Sequence, residues 1–293
     1  MKYENIGSRL LMAASLVCNG KTVCDVGCDH GKLSLYLVKS GRAERVIATD
    51  INKMPLQKAI DLFSENGISD KAEFHLTDGL QNIGNTDDIT HVLICGLGGD
   101  TMAQIIENAP FIRENGVQLV LLPAQSGDKI RHYLYTHGFD ITAEHTVGEN
   151  KKFYSAITAV YSGNVKECNA YDCYIGKSES CEGADAKGYF EMVLSRLGKK
   201  AKGLEIDTGS CPQDILDAID RGDIKLEKYD LSKWRLMHIG AQPVPPSLIK
   251  RWKKVFPNHE YDTNYGLSES IGPGCVHLGV ENIHKVGAKG KAG

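Results

Sequence analysis

The sequence predicts a doubly wound α/β domain, and three observations carry that expectation. Over roughly the first 160 residues, strand-like and helix-like stretches alternate in units of about 25 residues, as a parallel sheet with crossover helices requires. The strand-like stretches are nearly continuous runs of Val, Ile and Leu, which suits strands covered on both faces. The first of them runs directly into the turn Gly27-Cys28-Asp29-His30-Gly31, which opens a helical pattern.

In chain order, the apolar stretch within MKYENIGSRLLMAASLVCNG has the spacing of an amphipathic helix. This segment carries Glu4 and lacks a small-residue cleavage pattern, so it is not read as a leader, and a cytoplasmic location is expected. Strands are predicted at Thr22–Gly27, Arg45–Asp50, Ala72–Thr77, His91–Gly96 and Val117–Pro123. Helices are predicted at Lys32–Ser40, Pro55–Asn66, Thr101–Asn108 and Gly127–His137, with Pro55 suited to a first turn. Asp140–Glu149 and Lys151–Ser162 then read as a hairpin closing the sheet edge.

The remainder reads differently. Gly163 to Asp185 is polar and weakly patterned, a loop or partial structure. Lys187–Leu204 has apolar Tyr189, Phe190, Val193, Leu194 and Leu197 at helical spacing and a net charge of +4. It is either a solvated amphipathic helix or one that contacts phosphates. From about residue 205 the composition changes: six of the nine prolines and both tryptophans lie there. A junction is expected near 204–210, giving regions 1–162, 163–204 and 205–293.

The net charge of −3 excludes a generally basic nucleic-acid coat. Residues 1–160 carry −4 and the rest +1, which assigns any nucleic-acid affinity to the second half. No apolar run approaches the ~18–20 residues of a membrane span. The nine cysteines form no Cys-x-x-Cys pair. Cys168, Cys173 and Cys181 are the ones close enough to be weighed as metal ligands, but reduced thiols are expected and no metal is assigned.

The motif Asp25-Val-Gly27-Cys-Asp29-His30-Gly31 follows a strand and opens a helix, where glycines let backbone approach a ligand and free N–H groups point outward. The dinucleotide pattern Gly-x-Gly-x-x-Gly is absent; the looser spacing suits S-adenosylmethionine, which has no pyrophosphate to cradle. Asp50 ends the second strand, where a carboxylate can accept both ribose hydroxyls. Asp78, in Thr77-Asp78-Gly79-Leu80 after the third strand, is an adenine contact, a group facing the substrate, or a helix N-cap. Gly96-Leu97-Gly98-Gly99 after the fourth strand offers bare backbone to a planar ligand.

At these residues the chain resembles the TrmK family, bacterial tRNA (adenine-N1)-methyltransferases acting at tRNA position 22. The resemblance covers residues 1–162 through SRLLMAASLV, DVGCDHGKLSLYL, ATDINKMPLQKA, TDGL, GLGG and VGENKKFYSAITAVYSG, in order, and Lys187–Leu204 resembles part of that family's basic helical region. It implies a Rossmann-like class I methyltransferase sheet with a short helical extension, with S-adenosylmethionine as cofactor. The partner it implies is tRNA, with neither DNA nor a membrane involved; the oligomeric state stays open. The cofactor residues it implies are Asp25, Gly27, Asp29, His30, Gly31, Asp50, Ile51, Asp78, Gly79, Gly96 and Gly98. Asp78 and Asp29 are the expected catalytic residues, and Arg9, Gly99, Lys199 and Lys200 the expected substrate contacts.

The tail is similar to AMP-forming acyl-CoA synthetases at Gly240-Ala241, at Tyr265-Gly266-Leu267-Ser268-Glu269 and at VGAKGKAG. The phosphate loop and the catalytic lysine domain of that family are absent, so the tail is expected to be an appended, non-catalytic fragment. Two alternatives stand beside methylation: a domain that binds cofactor without turnover, and a fragment of an acyl-CoA ligase.

Overall fold

The computed structural model describes residues 6–226, apart from 115 and 209, together with 236–239, 250, 260–265, 275–278 and 291–292. The chain divides into two compact units, Met1–Gly222 and Asp223–Gly293.

The first unit opens with α1 (Ser8–Ser15), β1 (Gly20–Val26), α2 (Lys32–Lys39), β2 (Ala43–Asp50), α3 (Lys53–Glu65) and β3 (Ala72–Leu76). It continues with β4 (Ile89–Cys95), α4 (Gly99–Glu107), the one-turn α5 (Phe111–Glu114), β5 (Gln118–Leu122), α6 (Gly127–Thr136), β6 (Phe139–Glu149) and β7 (Lys152–Tyr161). The helices α7 (Ala170–Tyr174), α8 (Ala184–Thr208) and α9 (Gln213–Leu226) follow. Each predicted strand and helix of residues 1–162 is present, its ends within three residues of expectation.

These strands form one seven-stranded sheet in the order β3-β2-β1-β4-β5-β7-β6. β1 to β5 are parallel, whereas β7 runs antiparallel between β5 and β6. The hairpin thus closes one sheet edge, as expected. The apolar runs explain the layering: Val23, Cys24, Ile47, Val92, Ile94, Leu119 and Leu121 are fully buried, with helices packed on both faces. Because the chain winds outward from β1 to β3 and returns to β4 on β1's other side, the winding reverses between β1 and β4. Crevices at such reversals lie at the strands' carboxyl ends and take ligands in open α/β sheets.

The segment 163–185 is more ordered than its polar composition suggested. α7 is initiated by a capping box, with the Asp172 N–H donating to Asn169 Oδ1 at 3.0 Å and the Asn169 N–H to Asp172 Oδ2 at 3.3 Å. What holds this segment on the sheet is Arg131, which is 1% exposed. Its Nε and Nη2 donate to Glu144 at 2.9 and 2.6 Å, Nη2 also to the Tyr189 hydroxyl at 3.0 Å, and Nη1 to the carbonyls of Cys173 and Tyr174 at 3.2 and 3.3 Å. All five guanidinium donors are used, so the cation is fully satisfied without water. Glu144 is completed by the Ser155 hydroxyl at 2.8 Å and the Lys177 N–H at 3.1 Å. One ion pair therefore joins α6, β6, α7 and α8.

The first unit ends beyond the composition change near 204–210. α9 buries Ile215 and Ala218, and the Arg221 guanidinium lies 3.8 Å over the Tyr171 ring. In the second unit, β8 (Leu236–Ile239), β9 (Glu260–Tyr265), β10 (Cys275–Leu278) and β11 (Lys291–Ala292) form a four-stranded sheet in the order β11-β10-β9-β8. Of the acyl-CoA-synthetase-like motif residues, Tyr265 ends β9, while Gly240, Ala241, Gly266, Ser268 and Glu269 lie outside the described residues.

Candidate functional site

A cavity of about 120 Å³ sits where the winding reverses, lined by Arg9, Leu10, Asp25, Gly27, Cys28, Asp29, His30, Lys32, Leu33 and Cys95. It lies at the carboxyl ends of β1 and β4 and is roofed by α1. The roof is tied to the hairpin: Arg9 Nε is 3.4 Å from Glu149 Oε2, its backbone N–H donates to Glu149 Oε1 at 3.4 Å, and its guanidinium stands 5.7 Å from the Tyr154 ring.

The loops around this cavity are held by hydrogen bonds from their own strand ends. The N–H groups of Gly27 and Cys28 both donate to Thr49 O at 2.9 Å, and the Thr77 N–H donates to Asp50 O at 3.0 Å. The Thr49 hydroxyl donates to Gly79 O at 2.8 Å. Asp50, 7% exposed, accepts the Asp29 N–H at 3.1 Å and the Asn52 N–H at 2.7 Å, which fixes the β1 and β2 loops together. On the other side, the Gly96 N–H donates to Leu122 O at 2.9 Å and the Gly99 N–H to Gln125 O at 3.1 Å.

The glycines of this rim divide into two kinds. Gly27 and Gly96 have φ of +70° and +83°, and a Cβ built at either meets nothing closer than 3.8 Å. Space is left beside their backbones, as the approach of a ligand requires. Gly31 and Gly99 are instead filled by the protein. A Cβ on Gly31 would stand 2.6 Å from Ala59 Cβ, and one on Gly99 would stand 2.0 Å from Ser126 O. At Gly99, one of the expected substrate contacts, the missing side chain also lets the first turns of α4 and α6 approach.

Charge in the cavity is mixed. Asp25, 2% exposed, accepts the Ser34 hydroxyl at 2.6 Å, and burial pushes its carboxyl up to about 6. Asp29 holds φ +49°, an uncommon backbone for a non-glycine residue, and its side chain is exposed. His30 Nε2 lies 3.2 Å from Lys58 Nζ and 3.7 Å from Asp29 Oδ1. Arg9 and Lys32 supply the positive side. Burial raises the Cys28 and Cys95 thiols, with Asp25 adding to the effect, so both stay protonated and act as apolar lining. Cys28, Lys32 and Cys95 line the cavity without having been expected there as site residues, although Cys28 and Lys32 lie inside DVGCDHGKLSLYL and Cys95 abuts Gly96.

Asp78 is exposed on the rim beyond β3, and Ile51, 67% exposed, stands beside Asp50. Lys200 is not at the cavity. It lines a second, larger groove of about 640 Å³ whose walls include Asp100, Lys129, Tyr174 and Ile215, and its Nζ donates to the Tyr174 hydroxyl at 2.6 Å. Lys199 is exposed on the same helix and does not line the groove. Among the described residues no group of three or more His, Cys, Asp and Glu is arranged to hold a metal ion, and no helix is long and apolar enough to cross a membrane.

A seven-stranded sheet of this order, with a glycine-flanked cavity at the β1/β4 reversal, defines a nucleoside-binding domain of the class I methyltransferase type. Residues 6–157 match the family described as methyltransferase domain, and the chain belongs to that family. Over 161 residues it is 30% identical to the tRNA (adenine(22)-N(1))-methyltransferase of Bacillus subtilis (strain 168), a match covering 54% of this chain and 66% of the relative. A Streptococcus pneumoniae protein described as a candidate tRNA (m1A22) methyltransferase, solved in complex with S-adenosyl-L-methionine, superimposes with a TM-score of 0.65 at 27% identity over 76% of this chain and 100% of its own. A 65-residue stretch is 35% identical to the 4-coumarate–CoA ligase-like 9 protein of Arabidopsis thaliana, covering 12% of it.

Proposed function

We propose that this chain methylates N1 of adenine at position 22 of tRNA, with S-adenosylmethionine as the methyl donor. The observation that carries the reading is the mixed-charge cavity at the sheet's reversal, left open beside Gly27 and Gly96. Relatives of that activity match the part of the chain that builds this cavity.

S-adenosylmethionine, when bound, supplies an electrophilic methyl group on a sulfonium. The cavity's volume fits the methionyl end of such a molecule, and its residues match that end's charges. Asp25 and Asp29 would hold the ammonium and sulfonium, and Arg9 and Lys32 the carboxylate. Asp50 and Ile51 would flank the ribose and adenine along the rim, with Asp78 and Gly79 beyond them. Gly96 and Gly98 would present bare backbone on the β4 side, against which a base could lie flat.

Adenine N1 carries its lone pair in the ring plane, so no proton leaves before attack. The protein's task is to align N1 and to accommodate the positive charge passed to the base. Asp78 and Asp29 serve the second purpose. Because N1 lies on the Watson–Crick edge, the base must enter unpaired or flipped.

In this reading residues 1–162 are the methyltransferase domain. Residues 163–204, with Lys199 and Lys200, form a shortened tRNA-contacting region. The remainder, 205–293, carries a non-catalytic fragment related to acyl-CoA synthetases, beyond the turns of α9 that pack within the first unit. The protein works in the cytoplasm.

The test is methyl transfer from labelled S-adenosylmethionine to two tRNA transcripts, one with adenine and one with guanine at position 22. Labelling of the adenine transcript alone is expected. Cofactor binding by calorimetry with no transfer to either transcript would overturn the reading in favour of a binding-only domain. An Asp78→Ala protein that binds cofactor normally and methylates at full rate would remove Asp78 from the mechanism.

A further inference from the structure

We propose that Cys168 and Cys173 form a redox pair that closes to a disulfide in oxidising conditions and fastens the start of α7. Their Sγ atoms lie 3.0 Å apart, and both are free thiols. An approach of about 1 Å brings them to the ~2.05 Å of a disulfide.

The local backbone explains the proximity. Asn169 is the N-cap of α7, so Cys168 is the residue before the cap and Cys173 the fourth residue of the helix. In helices generally these two positions meet side chain to side chain as an apolar staple that fixes the chain's angle of entry. A disulfide here would make that contact covalent without reordering the capping box, whose two hydrogen bonds already hold the turn.

Both cysteines line the groove of about 640 Å³, so a small oxidant can reach them. They differ in environment. Cys168 is half-buried, whereas Cys173 is buried and its thiol is pushed up, first by that burial and then by its hydrogen bond to Cys168. The order of reaction follows. The Cys168 thiolate attacks one sulfur of a small-molecule disulfide such as oxidised glutathione, breaking its S–S bond and releasing one glutathione thiolate. Cys173 then loses its proton and attacks Cys168 Sγ, expelling the second glutathione. Two protein thiols become one disulfide, and two electrons and two protons pass to glutathione.

The carbonyls of Cys173 and Tyr174 are the acceptors that complete Arg131. Oxidation would therefore fasten the segment that receives the buried guanidinium. None of this depends on the methylation reading.

The test uses the full-length chain equilibrated with mixtures of reduced and oxidised glutathione, quenched in acid, alkylated and mapped by mass spectrometry. Trypsin cleavage after Lys166 and Lys177 places both cysteines in one peptide. The wild type is expected to show that peptide lighter by two hydrogens, with no lasting glutathione on it and full reversal by dithiothreitol. Cys173→Ser should retain glutathione on Cys168, and Cys168→Ser should leave Cys173 reduced. The proposal is overturned if glutathione accumulates on Cys168 in the wild type without loss of the Cys173 thiol. It is equally overturned if both cysteines stay reduced at ratios that fully modify exposed Cys18.

Discussion

Replacing Asp25 by Asn separates the domain's stability from its proposed cofactor binding. Asp25 is 2% exposed, and its burial, only partly offset by the Ser34 hydroxyl, raises its carboxyl to about 6. In the unfolded chain the same group titrates near 3.9. Between these values the native state holds a proton that the unfolded state has released, so stability falls as pH rises through this window and is level above it. A gap of about two pH units corresponds to about 3 kcal/mol lost at neutral pH. Asn keeps the shape and an acceptor for Ser34 but never ionises. After allowing for the extra amide donors, the variant should be about 1–3 kcal/mol more stable at pH 7 and nearly equal to the wild type at pH 4. Urea denaturation across this pH range should be followed by far-ultraviolet circular dichroism, because both tryptophans, Trp234 and Trp252, belong to residues 223–293 and report on the second unit. The same substitution should weaken S-adenosylmethionine binding at least about tenfold, or about 1.4 kcal/mol, since the ligand's cationic end loses its counter-charge. Stability differences that stay parallel from pH 4.5 to 7.5 would refute the assignment of a buried, costly carboxylate.

Three further outcomes are expected. Gly99→Ala must push Ser126 O aside and should cost about 1–3 kcal/mol or more in the same denaturation assay, whereas Gly27→Ala, with room for its Cβ, should cost about 1 kcal/mol of backbone strain and show its main effect in calorimetric cofactor affinity. Arg131→Met leaves Glu144 buried without its cation and should cost about 3–5 kcal/mol, with loss of trypsin resistance in residues 170–200. Truncation after Leu204 removes the buried Ile215 and Ala218 and should lower the melting temperature of the first unit, while truncation after Leu226, the end of α9, should not.

The strands were legible because Val, Ile and Leu runs are what a sheet covered on both faces needs, and few other structures tolerate them. The cavity was legible for a related reason. Asp25, Gly27 and Asp29 sit at a strand end that the alternation itself locates, so topology brought Arg9 and Cys95 to the same place. The same reasoning could not sort the glycines. Gly27 and Gly99 look alike in sequence, and only three-dimensional packing shows that one faces open space and the other a neighbouring carbonyl. Nor could it find Arg131, because an arginine in an amphipathic pattern reads as a surface charge until its four partner residues, from β6, α7 and α8, are in view. α7 escaped notice because five residues are too short for a periodicity, although Asn169 and Asp172 carried its capping signal.

The Arg131 cluster also bears on how the molecule opens. To lift α7 or the first turns of α8 away from the sheet is to strip a guanidinium of its acceptors inside a dry interior, so partial detachment gains nothing until water can enter. Residues 170–190 should then exchange their amide hydrogens in step with α6 and β6, as one cooperative unit. Ile206, 84% exposed near the end of α8, lies outside this cluster, and the turn around it should fray first. A segment that looks like an appendage in the chain thus belongs, in its opening events, to the edge of the sheet.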